Sequence, residues 1–136
     1  MGSYFLGRTS KARLVTCHRK IQLIVEDAIK HSTIDFGVVC GYRGEIQQTE
    51  AFDDGKSNAE WGESSHNFRQ GDKPCSLAVD LAPYSSKIRN YLWDDEEAFK
   101  QLYEHIRMTA HKFGVKMKWG GNFASLKDMP HFEIVI

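Results

Sequence analysis

The chain has 136 residues, of which 41% are hydrophobic and 26% charged, so its size and composition are those of one globular domain. Eighteen basic and eighteen acidic residues cancel, which weighs against a nucleic-acid-binding protein because a polyanion meets no net positive charge. No apolar run approaches the roughly 20 residues of a membrane-spanning helix, and the N-terminus lacks the apolar stretch of a signal peptide. We therefore expect that the protein is made in the cytoplasm and does not insert into a membrane.

The first half of the chain alternates regular patterns with one long polar stretch. Residues 18–31 carry apolar side chains three and four positions apart, which predicts an amphipathic helix. The β-favouring run at 34–42 predicts a buried strand that ends near Arg43, and 44–54 predict a short helix. Residues 56–76 are polar and show no period. A loop of this length in a compact domain is usually either functional or disordered.

The second half predicts three strands and a helix. Residues 76–82 alternate as a strand that Pro83 should end, with Asp80 on the face opposite the aliphatic side chains. Residues 94–113 predict a second amphipathic helix, which starts with an Asp94 capping box. Strands follow at 115–119 and 131–136. This order predicts an α+β fold, a small antiparallel sheet with flanking helices.

The last strand has one apolar face and one polar face. Its alternation directs Phe132, Ile134 and Ile136 to the core and leaves His131 and Glu133 together on the other face. Trp119 is expected in the core or in a cleft wall, with a turn at the glycines that follow it.

Histidine and aspartate residues from the polar loop onward could bind a metal. Catalytic zinc needs three nitrogen or oxygen ligands, an open position and a nearby carboxylate, which His66, Asp80, His131 and Asp128 could supply. Pro130 favours a turn that places Asp128 beside His131. An acid such as Asp80 on an apolar strand needs a partner, because burial of an unpaired charge is costly. A metal ion and a basic side chain both satisfy that need.

Six motifs occur in the order seen in a known family: Gly41-Tyr-Arg43, Gln47 with Gly55 eight residues on, Ser64-x-His66, Ala78-x-Asp80-Leu-Ala-Pro-Tyr84, Trp119-Gly-Gly and Asp128-Met-Pro-His131-Phe-Glu133. They resemble the zinc D-alanyl-D-alanine carboxypeptidase superfamily, specifically its small phage endolysins of the L-alanyl-D-glutamate endopeptidase type. The resemblance runs from about residue 10 to residue 136. It implies the hedgehog/DD-peptidase fold and one catalytic domain over 1–136, without a separate cell-wall-binding domain.

The resemblance also implies roles for individual residues. His66, Asp80 and His131 would hold one Zn²⁺, and Asp128 would be the catalytic base. Arg43 would bind a substrate carboxylate or stabilise the developing oxyanion.

Two further residues keep alternatives. Gln47, one helical turn from Arg43, would face the same cleft and bind substrate, or would lie on the helix surface. Glu133 would orient His131 through a hydrogen bond or remain on a solvated face.

The implied activity is hydrolysis of peptidoglycan stem peptides between L-alanine and D-glutamate, with lysis of a bacterial host as its outcome. A monomer that acts on the cell wall would then need a holin-type protein for delivery. A D-alanyl-D-alanine carboxypeptidase or dipeptidase is the alternative enzyme. A zinc-stabilised binding domain without catalysis is the alternative of another class, but the retained Asp128 and Arg43 weigh against it.

Two departures from the family pattern lie near the predicted site. Asp80 follows His66 by fourteen residues, a longer interval than close relatives have, so 67–75 is an insertion that leaves the exact specificity open. It contains Asp72, a competing carboxylate in a Gly/Pro-flanked loop; we prefer Asp80 because its strand matches the family motif. Asn122-Phe123 also replaces the usual Asp-Trp.

Overall fold

The computed structural model describes residues 4–122 and 127–136, so Phe123 of the second departure lies outside the described residues. The described residues form four α-helices and seven strands. The helices are α1 (Arg8–Leu14), α2 (Arg19–His31), α3 (Glu45–Asp53) and α4 (Glu96–Lys112). The strands are β1 (Phe36–Cys40), β2 (Arg69–Gln70), β3 (Lys73–Pro74), β4 (Ala78–Ser85), β5 (Asn90–Tyr91), β6 (Lys116–Trp119) and β7 (His131–Val135).

An antiparallel sheet with the order β1-β4-β7-β6 forms the centre of the fold, and the short β5 pairs with the end of β4. In this sheet Asp80 of β4 stands opposite Cys40 of β1 on one side and opposite His131 of β7 on the other. Directly opposed residues of antiparallel strands have Cβ atoms about 5 Å apart. The strand register therefore brings residues from three distant parts of the sequence to one place.

The hydrophobic core lies between the sheet and the two long helices. Ile21 and Val25 of α2, Leu102 of α4 and Phe132 of β7 are each at most 1% exposed. Each such side chain contributes about 1.5–3 kcal/mol by leaving water. A hydrogen bond of 2.8 Å between His105 Nε2 and the Ala28 carbonyl oxygen joins α4 to α2. The helices thus cover one face of the sheet and leave the Asp80 side of β4 available.

The predicted helices and the faces of the last strand are largely confirmed. Helix α2 begins and ends within one residue of the predicted bounds. Phe132 and Ile134 are buried as predicted. The prediction that Ile136 faces the core was wrong, because this residue is 65% exposed. Pairing of β7 with β6 ends at Val135 opposite Lys116, so nothing in the sheet covers the last residue.

Strand β4 is longer than predicted. It continues through Pro83, which stands opposite Phe36, and ends at Ser85. The Pro83 carbonyl oxygen accepts a hydrogen bond from the Leu92 N–H at 2.8 Å. Pro83 lies where β4 changes partner from β1 to β5, a position at which a missing N–H is tolerated.

Three further features differ from the prediction. Helix α1 was not predicted, and the polar loop contains the β2-β3 hairpin. Helix α4 is capped by Asp95, whose carboxylate accepts from the Ala98 N–H at 3.0 Å, rather than by Asp94. Ser10 and Arg13 of α1 bond the N–H and carbonyl of Val38, both at 3.0 Å. Helix α1 thereby gives hydrogen-bond partners to the Val38 backbone at the outer edge of β1, where no further strand pairs in the described sheet.

The longest helix in the described part of the chain, α4, has 17 residues. None of the described helices combines the length and the apolar composition that crossing a membrane requires.

Candidate metal centre and catalytic cleft

Three side-chain atoms from the loop, β4 and β7 converge on one point. His66 Nε2 lies 3.2 Å from Asp80 Oδ1 and 3.1 Å from His131 Nδ1, and the latter two atoms are 3.5 Å apart. Zinc bound at about 2.0–2.2 Å to tetrahedral ligands separates their donor atoms by roughly 3.3–3.5 Å. The observed spacing therefore fits a zinc ion, and the set of two imidazole nitrogens and one carboxylate is one that zinc accepts.

The local backbone orients His66 with only one nitrogen toward this point. A 3-10 turn at Ser65–Asn67 carries His66, and its N–H bonds the Ser64 hydroxyl at 3.1 Å. The Nδ1 atom lies 2.7 Å from the Gly41 carbonyl oxygen, which can only accept, so Nδ1 carries the proton. Nε2 is left with its lone pair available, and a hydrogen bond of this kind is what orients metal-binding histidines.

Glu133 bonds the second histidine from the same strand face. His131 Nε2 lies 2.7 Å from Glu133 Oε1, and the Ser65 hydroxyl donates to the same oxygen at 3.3 Å. The alternation that predicted His131 and Glu133 on one face is confirmed by this contact. As a result, His131 Nδ1 is the nitrogen that faces Asp80 and His66.

The structure brings Asp80, not Asp72, to the two histidines. Asp80 has a side chain only 13% exposed and stands in the middle of the three-strand register. Asp72 is exposed at the turn between β2 and β3. An extended strand in the sheet can hold a carboxylate at a fixed position, whereas the insertion places its own carboxylate in solvent.

Strong electrostatic coupling links the three groups. Burial alone would raise the pKa of Asp80, but the two histidines outweigh burial and lower it. Burial alone would lower the pKa of His66, but the negative charge of Asp80, together with side-chain hydrogen bonding to Asp80 and interactions with Cys40, outweighs burial and raises it. The cluster thus favours a cation between the groups, and a bound metal ion would displace the imidazole protons.

Asp128 lies beside the donor atoms. Carboxylate or imidazole atoms of Asp80, Asp128 and His131 are all within 4.8 Å of one another. Burial of Asp128, and then the negative charge of Asp80, raise its pKa. The Asp128 carbonyl accepts from the His131 N–H at 3.0 Å, so a tight turn connects the two residues, as Pro130 predicted.

The Arg43 guanidinium also borders the cluster. Its Nη2 lies 3.6 Å from Asp80 Oδ2, and its Nη1 donates to Gln48 Oε1 at 3.0 Å. The side chain is 16% exposed, so part of its donor set faces the cleft. The predicted residues Arg43, His66, Asp80, Asp128 and His131 therefore form one site.

Comparison with known proteins identifies the family. The model of the phage L-alanyl-D-glutamate peptidase family matches residues 2–135. The chain belongs to this family. It is 29% identical to the L-alanyl-D-glutamate peptidase of Escherichia phage T5 over 133 residues. The aligned residues make up 97% of this chain and 90% of that protein. The resemblance stated from the sequence motifs is thereby confirmed.

A bacterial relative and a solved structure extend the comparison. The peptidoglycan L-alanyl-D-glutamate endopeptidase CwlK of Bacillus subtilis is 28% identical over 124 residues, which are 80% of this chain and 68% of CwlK. The Serratia marcescens L-Ala D-Glu endopeptidase ChiX superposes with a TM-score of 0.78 at 24% identity, over 96% of this chain and 90% of that chain. The predicted fold class is confirmed.

The Trp-Gly-Gly motif of this family member supports the turn that carries Asp128. The Trp119 indole N–H donates to the Met129 carbonyl at 2.6 Å, and the Asp128 N–H donates to the Gly120 carbonyl at 2.9 Å. A Cβ atom on Gly120 would overlap the Asp128 carbonyl oxygen. The glycine at 120 is therefore required by a close backbone approach, and the motif places Asp128 beside His131.

Of the two positions expected for Gln47, the structure shows the helix surface, and Gln47 is not among the residues that line the cleft. It is exposed, and its Oε1 accepts from the Gly44 N–H at 3.2 Å, so it caps the start of α3. The neighbouring Gln48 is fully buried and bonds Arg43, and its amide nitrogen bonds the Ala59 carbonyl at 2.7 Å. Sequence reasoning missed Gln48 because a single short helix with few apolar residues shows no clear buried face.

We expect Gln48→Leu to destabilise the protein and weaken catalysis. The substitution keeps the volume but removes one hydrogen bond of the Asn67 amide, which keeps its bond to the Arg43 carbonyl, and the shorter hydrogen bond of the Ala59 carbonyl. Loss of each hydrogen bond costs about 0.5–1.5 kcal/mol. Arg43 also loses an orienting acceptor. Thermal unfolding and steady-state kinetics measure the two effects. Gln47→Leu is the matched control and should change both much less; equal effects of the two substitutions would contradict this role.

Cys40 is a second feature that sequence reasoning did not assign to the site. Its thiol and ligand atoms of His66 and Asp80 all lie within 4.8 Å of one another. Its position follows from the register of β1 against β4, which no local pattern encodes.

A cleft of about 850 Å³ opens over the donor atoms. Arg43, His66, Asp128 and His131 line it together with Trp61 of the polar loop and Arg69 of β2. The long polar loop of the prediction is thus the wall of the cleft, which explains why it carries so few core residues.

Proposed function

We propose that this chain hydrolyses the bond between L-alanine and D-glutamate in peptidoglycan stem peptides, using one Zn²⁺ held by His66, Asp80 and His131. The proposal rests on the agreement of two findings. A peptidase family matches residues 2–135, and its motif residues meet in one cleft with three donor atoms 3.1–3.5 Å apart.

The donor set favours zinc over the other common divalent cations. Magnesium and calcium prefer oxygen ligands only, whereas two imidazoles and one carboxylate suit zinc with an open position. When bound, the zinc ion would polarise the scissile carbonyl and lower the pKa of a water molecule toward about 7. Asp80 and the two histidines supply the charge and the geometry for this ion.

Asp128 is the proposed general base. Its carboxylate borders the cleft next to the donor atoms, and burial raises its pKa, which strengthens it as a proton acceptor. Asp128 takes a proton from the attacking water and passes it to the leaving amine of D-glutamate. Its carboxylate is free to do so because the backbone, not the side chain, makes the turn to His131.

Arg43 is the proposed electrostatic partner of the substrate. Held by Gln48 and Asp80, its guanidinium is fixed before substrate binds, so little side-chain entropy is lost at that moment. It can bind a substrate carboxylate through two parallel hydrogen bonds or stabilise negative charge on the scissile carbonyl oxygen.

We also propose that residues 1–136 act as one catalytic unit in which the cleft itself recognises the peptide. One hydrophobic cluster of the described residues, built from both long helices and the sheet, supports this organisation. We further propose that the chain acts on the cell wall as a monomer, after a holin-type protein opens a path to it; the match to a phage peptidase family supports the cell wall as the place of action.

Digestion of purified peptidoglycan tests the proposal. We expect new L-alanine C-termini on the glycan strands and new peptides that begin with D-glutamate, both identified by mass spectrometry. A chelator should abolish their formation, and added Zn²⁺ should restore it. Released D-alanine would indicate a carboxypeptidase instead, and peptides left intact by the zinc-loaded protein would favour a binding domain.

A further inference from the structure

The insertion at 67–75 contributes directly to the cleft. It folds back on itself as the β2-β3 hairpin, with Arg69 opposite Pro74 and Gln70 opposite Lys73. Arg69 lines the same cleft as His66 and Asp128, whereas Lys73 does not. The hairpin therefore adds one specific cation to the substrate site.

The Arg69 side chain has no acidic partner in the part of the chain that the structure describes. Its guanidinium carbon lies 5.9 Å from the ring centroid of Trp61, at the distance of a cation–π contact. Arg43 differs, because Asp80 and Gln48 occupy part of its guanidinium. Arg69 is thus held over an aromatic ring while its hydrogen-bond donors remain available.

The acidic residues that line the cleft do not neutralise this cation. Glu133 bonds His131 at 2.7 Å, and Glu63 accepts from the Glu60 N–H at 3.0 Å. Asp128 lies beside the metal-binding atoms. Arg69 and Lys56 are the cations contributed by the loop wall, so this wall favours an anionic part of a ligand.

We propose that Arg69 is a specificity-determining residue that binds a free carboxylate of the substrate next to the scissile bond. The inference rests on the proposed function. A D-glutamate whose amine forms the cleaved bond still carries two carboxyl groups, and one stays free when the other continues the chain. Arg69 follows His66 by three residues, so their Cα atoms are at most about 11 Å apart, and both side chains line the same cleft.

The expected consequence is a preference for carboxylate over carboxamide. A carboxylate can accept two parallel hydrogen bonds from the guanidinium fork, whereas a neutral carboxamide offers one acceptor and no charge. Loss of one charge-assisted contact of this kind corresponds to about a 10- to 100-fold change in kcat/KM.

Two synthetic tripeptides test the inference. Both contain the L-alanyl-D-glutamate bond, and they differ only in whether the free carboxyl group of glutamate is a carboxylate or a carboxamide. The zinc-loaded wild-type protein should prefer the carboxylate by about 10- to 100-fold in kcat/KM. Arg69→Gln should abolish that preference through a higher KM for the carboxylate peptide, and Arg69→Lys should retain part of it.

Lys73→Gln is the matched control, because it removes the same charge from the same hairpin outside the cleft. It should keep the full preference. The inference is overturned if the wild-type protein shows no preference, if Arg69→Gln keeps it, or if Lys73→Gln loses it equally. In those cases cleavage by the wild-type protein still supports the proposed function. Failure of the wild-type protein to cleave either peptide or whole peptidoglycan would instead remove both proposals.

Discussion

Replacing Asp128 by Asn is expected to lower turnover by about 10²- to 10⁴-fold while the protein still binds one zinc ion per chain. Asn has the same size as Asp, so the turn to His131 stays intact, but a carboxamide cannot accept the proton of the attacking water. The three donor atoms that we propose as ligands belong to other residues. Kinetics on a stem-peptide substrate and metal analysis of the purified variant measure the two results.

Asp72→Asn is the control for this experiment. It removes an exposed carboxylate from the insertion and should leave both turnover and zinc content unchanged. Asp128 also lies within 4.8 Å of donor atoms of Asp80 and His131, so it could be a metal ligand instead. Loss of zinc from Asp128→Asn would show that role, and full activity of this variant would contradict a base at this position.

Replacing His131 by Ala is expected to remove both zinc binding and activity. The substitution deletes one of three donor atoms and leaves the buried Asp80 with one histidine fewer. Loss of an outer partner of a metal ligand alone costs 10- to 100-fold in affinity or activity. Glu133→Gln should show that smaller loss, and His131→Ala should exceed about 100-fold. Zinc titration against a competing chelator gives the affinities.

The Cys40→Ser variant tests whether the third metal ligand is His131, as we propose, or Cys40. Cys40, His66 and Asp80 also bring three ligand atoms within 4.8 Å. We expect Cys40→Ser to keep its zinc, and the Co²⁺-loaded wild-type protein to lack the near-ultraviolet absorption that a sulfur ligand produces. Retention of metal by His131→Ala together with loss of metal from Cys40→Ser would reverse the ligand assignment.

Local patterns predicted most of the regular structure. The spacing of apolar residues in α2 and α4 depends on the 3.6-residue period of a helix, and alternation in β7 depends on the two-residue period of a strand. These periods are properties of the chain over a few residues. They were therefore sufficient to place Phe132 and Ile134 in the core and His131 beside Glu133.

Elements whose stability comes from distant contacts were not predicted. Helix α1 has only two buried residues, Ser10 and Leu14, and bonds to β1 across 25 or more positions. Its sequence shows no clear stripe of apolar residues along one helix face. Strand β4 passes through Pro83 because its pairing partner changes there, and only the neighbours in the sheet determine that such a proline is tolerated.

The candidate site shows the same division. Sequence by itself, through family motifs, pointed to His66, Asp80, Asp128, His131 and Arg43, because these motifs record which residue types occur in which order. The tertiary structure alone decided that Gln48 rather than Gln47 holds Arg43, that Cys40 stands beside Asp80, and that Arg69 of the insertion faces the cleft. The physical reason is that a local period determines which residues share a face, whereas strand register and loop packing determine which faces meet.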